Sequence, residues 1–77
     1  MKSFEFLFFS LEEQMEGIRK LGQLLSSRKE GSEIVQLHRL DDFFVEAYFD
    51  SRTKAFMRSK VVEDRSLLSH LYSGVRN

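Results

Sequence analysis

Residues 43–50 read Phe-Phe-Val-Glu-Ala-Tyr-Phe-Asp, and the parity of this run decides the fold. Aromatic and β-branched residues suit a pleated strand, whose successive side chains point to opposite faces. Phe43, Val45, Ala47 and Phe49 therefore share one face, and Phe44, Glu46, Tyr48 and Asp50 the other. The next segment, Lys54 to Val62, alternates in the same way: Ala55, Met57 and Val61 oppose Lys54, Phe56, Arg58 and Lys60. Odd positions are apolar in both segments, so they belong on one buried face of an antiparallel pair. That condition needs an odd number of loop residues, which Ser51 to Thr53 supplies. The resulting register sets Phe49 opposite Ala55, Tyr48 opposite Phe56, and Glu46 opposite Arg58.

Working back towards the N-terminus, Glu33 to Leu40 alternates and carries β-branched residues, and Asp41-Asp42 is a turn signal. Two registers compete. A loop from Leu40 to Asp42 turns Val35 and Leu37 to the core, whereas a two-residue Asp41-Asp42 turn brings Gln36 and His38 there. The first buries apolar groups and is the expectation. Gln23 to Lys29 reads as a further strand, followed by a Lys29-Glu30-Gly31-Ser32 turn. The short connections permit only an antiparallel meander.

Ser10-Leu11-Glu12-Glu13 matches the capping box, in which serine and glutamate satisfy each other's backbone N–H groups. Leu11, Met15, Ile18 and Leu21 follow at helical spacing, with Arg19 and Lys20 in the last turn. Gly22 suits the left-handed position that ends a helix, so a helix over Ser10–Leu21 is expected. A helix reaching Ser27 is the competing reading, on the heptad-like series Phe4, Phe8, Leu11, Met15, Ile18, Gly22 and Leu25. Beyond the meander, Asp64 or Ser66 caps a short helix carrying Leu67, Leu68, Leu71 and Tyr72, and Gly74 ends it. The whole is one α+β domain over residues 1–77, in the order α-β-β-β-β-α.

Phe4 to Phe9 holds four of the eight phenylalanines. Broken by Glu5 and followed by acidic residues, this run is far shorter than the roughly 20 residues of a membrane span and lacks the plan of a signal peptide. It reads as a packing arm, helical or extended, that covers sheet left open by a three-turn helix. A domain this small benefits from such rings, each worth about 1.5–3 kcal/mol when buried. The chain has no cysteine, which removes disulfides and thiolate metal sites and fits a cytoplasmic setting. Its formal net charge of +0 argues against a general binder of nucleic acid or anionic membrane.

The run Val35-Gln36-Leu37-His38-Arg39-Leu40-Asp41-Asp42-Phe43-Phe44-Val45-Glu46-Ala47-Tyr48-Phe49-Asp50 resembles one in a group of small uncharacterised bacterial single-domain proteins. The Leu-Glu-Glu helix start and Gly22 fit the same pattern, so the likeness extends over residues 6–72. It implies a helix followed by a β-meander and brings no activity, ligand or catalytic residue. His38 stands where that group leads one to expect tyrosine.

With the first register, the outer face gathers Ile34, Gln36, His38, Phe44, Glu46, Tyr48, Phe56, Arg58 and Lys60. Rings rimmed by charge mark an interface. Ile34, His38, Phe44, Glu46, Tyr48, Phe56, Arg58 and Lys60 are the candidate contact residues of a non-enzymatic interaction protein that forms a homodimer. The alternative is a small sheet binding single-stranded nucleic acid, with rings to stack bases and cations to hold phosphates. Glu46 in the middle and the neutral balance weigh against that alternative. Glu46 as a general base competes with a plain cross-strand pair to Arg58. His38 and His70 lack metal-ligand spacing, and Asp41-Asp42 is explained by turn chemistry, so no metal or cofactor is expected.

Overall fold

Ser10 opens the main helix as the capping box requires. Its backbone N–H donates to Glu13 Oε1 at 2.8 Å, and the Glu13 N–H donates to Ser10 Oγ at 3.2 Å. The computed structural model describes residues 2–62, so the helix expected after Asp64 or Ser66 lies outside the described residues. Those described form α1 (Ser3–Leu7), α2 (Leu11–Leu21), β1 (Gly22–Glu30), β2 (Glu33–Leu40), β3 (Phe43–Asp50) and β4 (Phe56–Val62). The strands make one four-stranded antiparallel sheet in the order β1-β2-β3-β4. The α+β class and the meander stand as expected.

The N-terminal arm is helical over α1. Five residues cannot sustain a helix alone. Phe6 anchors it, only 1% exposed, with its ring 5.7 Å from that of Phe9 and 6.0 Å from that of Phe43. The principal core lies between the helices and one face of the sheet. It joins Phe6 and Ile18 to Leu40, Phe43, Val45 and Ala47, with Phe9, Phe49, Phe56 and Val61 packed against it. Gln14 ties the helices to the sheet: its Nε2 donates to the Phe9 carbonyl at 3.0 Å, and its Oε1 accepts from the Ser59 hydroxyl at 2.6 Å. This amide occupies the place an apolar staple partner would take.

Three local expectations are corrected. Gly22 is extended (φ −77°, ψ 141°) rather than left-handed, and α2 runs into β1 with no intervening residue. Glycine is needed there because a Cβ would overlap the Ile18 carbonyl oxygen and come within 3.2 Å of His38 Nδ1. Second, Asp41 takes φ 53° and the turn before β3 has two residues, so Leu40 pairs with Phe43 and His38 with Val45. Aspartate tolerates the left-handed region, and a two-residue turn of this hand follows the strand twist. Gln36, His38 and Leu40 therefore face the helices, while Val35 and Leu37 turn to the far face beside Phe44. The apolar preference that favoured the other register fails because both faces bury side chains: Val35 and Leu37 are each 0% exposed on theirs.

Third, the β3–β4 loop is longer than Ser51 to Thr53. Asp50 organises it, its carboxylate accepting from the Arg52 and Thr53 backbone N–H groups at 2.8 and 2.9 Å, and Lys54 closes it at φ 67°. The Thr53 and Arg52 bonds hold the Asp50 carboxyl below its ordinary pKa. A bulge near Met57 then places Phe56 opposite Phe49, Arg58 opposite Tyr48, and Lys60 opposite Glu46. The parity of the even positions survives, but Phe56 crosses to the helix side, edge-on to Phe49 at 5.6 Å.

Candidate functional site

The far face of the sheet carries Phe44, Glu46, Tyr48, Arg58 and Lys60 together, as expected. Ile34, His38 and Phe56 are not with them. Ile34 and His38 stand opposite Phe49 and Val45 on the helix side, and Phe56 packs against the principal core. Glu46 is 4% exposed at the centre of the far face. Its carboxylate accepts from Arg28 Nη1 at 3.3 Å and from the Tyr48 hydroxyl at 3.1 Å. The expected Glu46–Arg58 pair is absent, because the β4 bulge moves Arg58 beside Tyr48. Arg58 instead donates to both carboxylate oxygens of Glu33, at 2.7 and 3.2 Å, which raises its pKa. Its guanidinium carbon sits 4.0 Å from the centre of the Tyr48 ring, a cation–π contact. Burial, and then the Glu46 charge, push the Tyr48 hydroxyl above its usual pKa. Arg28, Glu46, Tyr48, Arg58 and Glu33 thus form a chain of polar contacts across the face, with the tyrosine ring under a cation.

On the other side of the sheet, the corrected register builds a cleft that sequence reasoning missed. It is a half-open cleft of about 330 Å³ between α2 and the strands. Met15 and Ile18 of α2, Leu24 of β1, and the Phe49–Phe56 pair form its apolar walls. Arg19 stands among the lining residues with its side chain 68% exposed, and it is paired to Glu16 at 2.6 Å. Gln36 and His38 give it a polar floor, with His38 Nε2 2.9 Å from Gln36 Oε1. His38 is 9% exposed, and its Nδ1 is buried with no hydrogen-bond partner. Burial lowers its pKa, so the ring is neutral at neutral pH. The signal in the sequence was Asp41: an aspartate able to take the left-handed conformation permits the two-residue turn, and that turn delivers Gln36 and His38 here.

A third feature is the outer side of the N-terminal helices. Phe4 and Leu7 of α1, Phe8 at its C-terminal cap and Leu11 at the start of α2 are 60%, 58%, 87% and 54% exposed. These members of the apolar N-terminal run are wet rather than part of a buried seam. Among the described residues, no helix is long and apolar enough to cross a membrane, and no group of three or more His, Asp or Glu is placed to hold a metal ion. Comparison with protein-family models, with curated proteins and with solved structures yields no match.

Proposed function

We propose that the protein is a non-catalytic binding module that pairs with a second copy of itself, through the apolar stripe of α1 and the start of α2. One observation carries this reading: Phe8 is 87% exposed and is flanked by Phe4, Leu7 and Leu11, each more than half exposed. Scattered apolar residues are ordinary on a surface, but four large ones exposed within eight residues of chain mark a contact site. The occupant is a second copy for two reasons. A formal net charge of +0 sets up no mutual repulsion between copies. A purely apolar stripe can also meet itself across a two-fold axis without leaving a charge unpaired. A reducing cytoplasm suits a chain with no cysteine.

The stripe replaces the far face as the contact surface. Phe44 and Glu46 are 4% exposed and Tyr48 lies under Arg58, so the mixed face offers little to a partner. The same facts count against binding of single-stranded nucleic acid, which needs open rings for stacking. Sedimentation velocity from low to high micromolar concentration tests the proposal. Dimer formation is expected, with Phe8→Ser weakening it at least about a hundredfold, since each copy loses a ring worth about 1.5–3 kcal/mol. A strict monomer at high micromolar concentration refutes it.

A further inference from the structure

The cleft between α2 and the sheet is a different feature from the stripe, and its chemistry is specific. A helix-covered sheet face ordinarily buries apolar side chains. Here β2 spends two of its inward positions on Gln36 and His38, and both line a half-open cleft of about 330 Å³. Polar side chains beside such a cleft are costly to a core and useful to a binding site; of these two, only His38 Nδ1 is buried without a partner.

The tautomer of His38 follows from its surroundings. If Nε2 carries the proton, it donates to Gln36 Oε1 at 2.9 Å, and Nδ1 is a bare buried acceptor. The reverse arrangement leaves a bare buried N–H donor, which proteins tolerate less well. The first arrangement therefore holds. His38 is a positioning residue: by engaging the Gln36 oxygen, it leaves the Gln36 amide NH₂ to the cleft that Gln36 lines. No hydrogen-bond partner takes that NH₂ among the described residues.

The geometry points to a binding site for a small neutral aromatic molecule bearing one hydrogen-bond-accepting oxygen. Its size sits near the lower end of small-molecule pockets, about 300–1,000 Å³. Phe49 and Phe56, edge-on to each other, offer aromatic walls, and Met15 offers a polarisable side chain that adapts to a ring. The oxygen accepts from the Gln36 amide. A charged ligand is disfavoured, because the lining's one formal charge, Arg19, is already held by Glu16.

The test uses acetophenone, and isopropylbenzene as a partner of similar shape without the oxygen. Both are titrated into the whole chain and followed by the NMR signals of the Gln36 side-chain amide and the Met15 methyl. Acetophenone is expected to shift both signals saturably. Gln36→Leu is expected to weaken acetophenone about three- to tenfold and leave isopropylbenzene unweakened, the effect of one hydrogen bond. Should Gln36→Leu fail to fold, Gln36→Glu reads the same bond by replacing the donor with an acceptor. Phe8→Ser should bind acetophenone like the wild type, which separates this site from self-association. The inference is overturned if neither compound moves the cleft signals up to its solubility limit. It is equally overturned if acetophenone binds the Gln36 variants as well as the wild type.

Discussion

Replacing Gly22 by alanine is the sharpest test of how the helix meets the sheet. Were Gly22 the left-handed end of α2, asparagine would be the best substitute and alanine would carry only a conformational cost of about 1 kcal/mol. The observed extended backbone reverses that order. Any L-residue can adopt φ −77° and ψ 141°, so the cost is steric. A Cβ would drive into the Ile18 carbonyl, the acceptor of the Gly22 N–H in the last turn of α2. Relieving the overlap means losing that bond, about 0.5–1.5 kcal/mol, and straining the packing by about 1–3 kcal/mol. Removing glycine returns about 0.4–1 kcal/mol by restricting the unfolded chain. The net loss for Gly22→Ala is about 0.5–4 kcal/mol, and Gly22→Asn should lose at least as much. For a domain of this size that lowers the melting temperature by about 2–32 °C. Thermal and urea unfolding followed by circular dichroism reads it. Alanine within half a kcal/mol of wild type, or asparagine more stable than alanine, refutes the reasoning.

Phe6→Ala should cost about 3–5 kcal/mol, because Phe6 is 1% exposed and is the ring that joins α1 to Phe9 and Phe43. Chemical denaturation should show much of the domain's stability gone, and equal midpoints for variant and wild type would mean that the arm is ornamental. His38 gives a pH dependence whose sign is set by burial lowering its folded pKa below the ordinary 6.5. Both states are neutral above that value. As pH falls through it the unfolded chain takes the proton first, so stability declines by at most about 1.4 kcal/mol per pH unit until the lowered folded pKa is reached. The gap between wild type and His38→Gln in urea midpoints should therefore shift against the wild type from pH 7.5 to 5.5, and parallel profiles would contradict the burial.

The sequence made the meander legible because Phe43–Asp50 carries an unbroken alternation, and it made the start of α2 legible because Ser10 and Glu13 act on their own backbone. Both depend on neighbours in the chain. What stayed hidden depends on choices between near-equal alternatives. The β2 register turned on whether Asp41 adopts φ 53°, and the observed solution still buries Val35, Leu37 and Leu40 on one face or the other. The β4 bulge at Met57 has no residue signature, since no glycine marks it, yet it moved Phe56 to the helix side and exchanged the partners of Glu46 and Arg58. On the far face, Phe44, Glu46, Tyr48, Arg58 and Lys60 were legible by parity, whereas Ile34, His38 and Phe56 were misplaced there and Val35 and Leu37 were assigned to the opposite face. The cleft was not legible, because it exists only after two turn geometries are fixed.

The absence of any linker between Leu21 and Gly22 has a mechanical consequence. Helix axis and edge strand form a bent lever with one stiff joint, and the first rung beyond that joint is the Gly22–Leu40 pairing. A push on α2 has no slack to absorb it, so it must be felt as tension along the outermost strand. Amide exchange along residues 22–30 is therefore the natural gauge of anything that wedges the helix away from its floor.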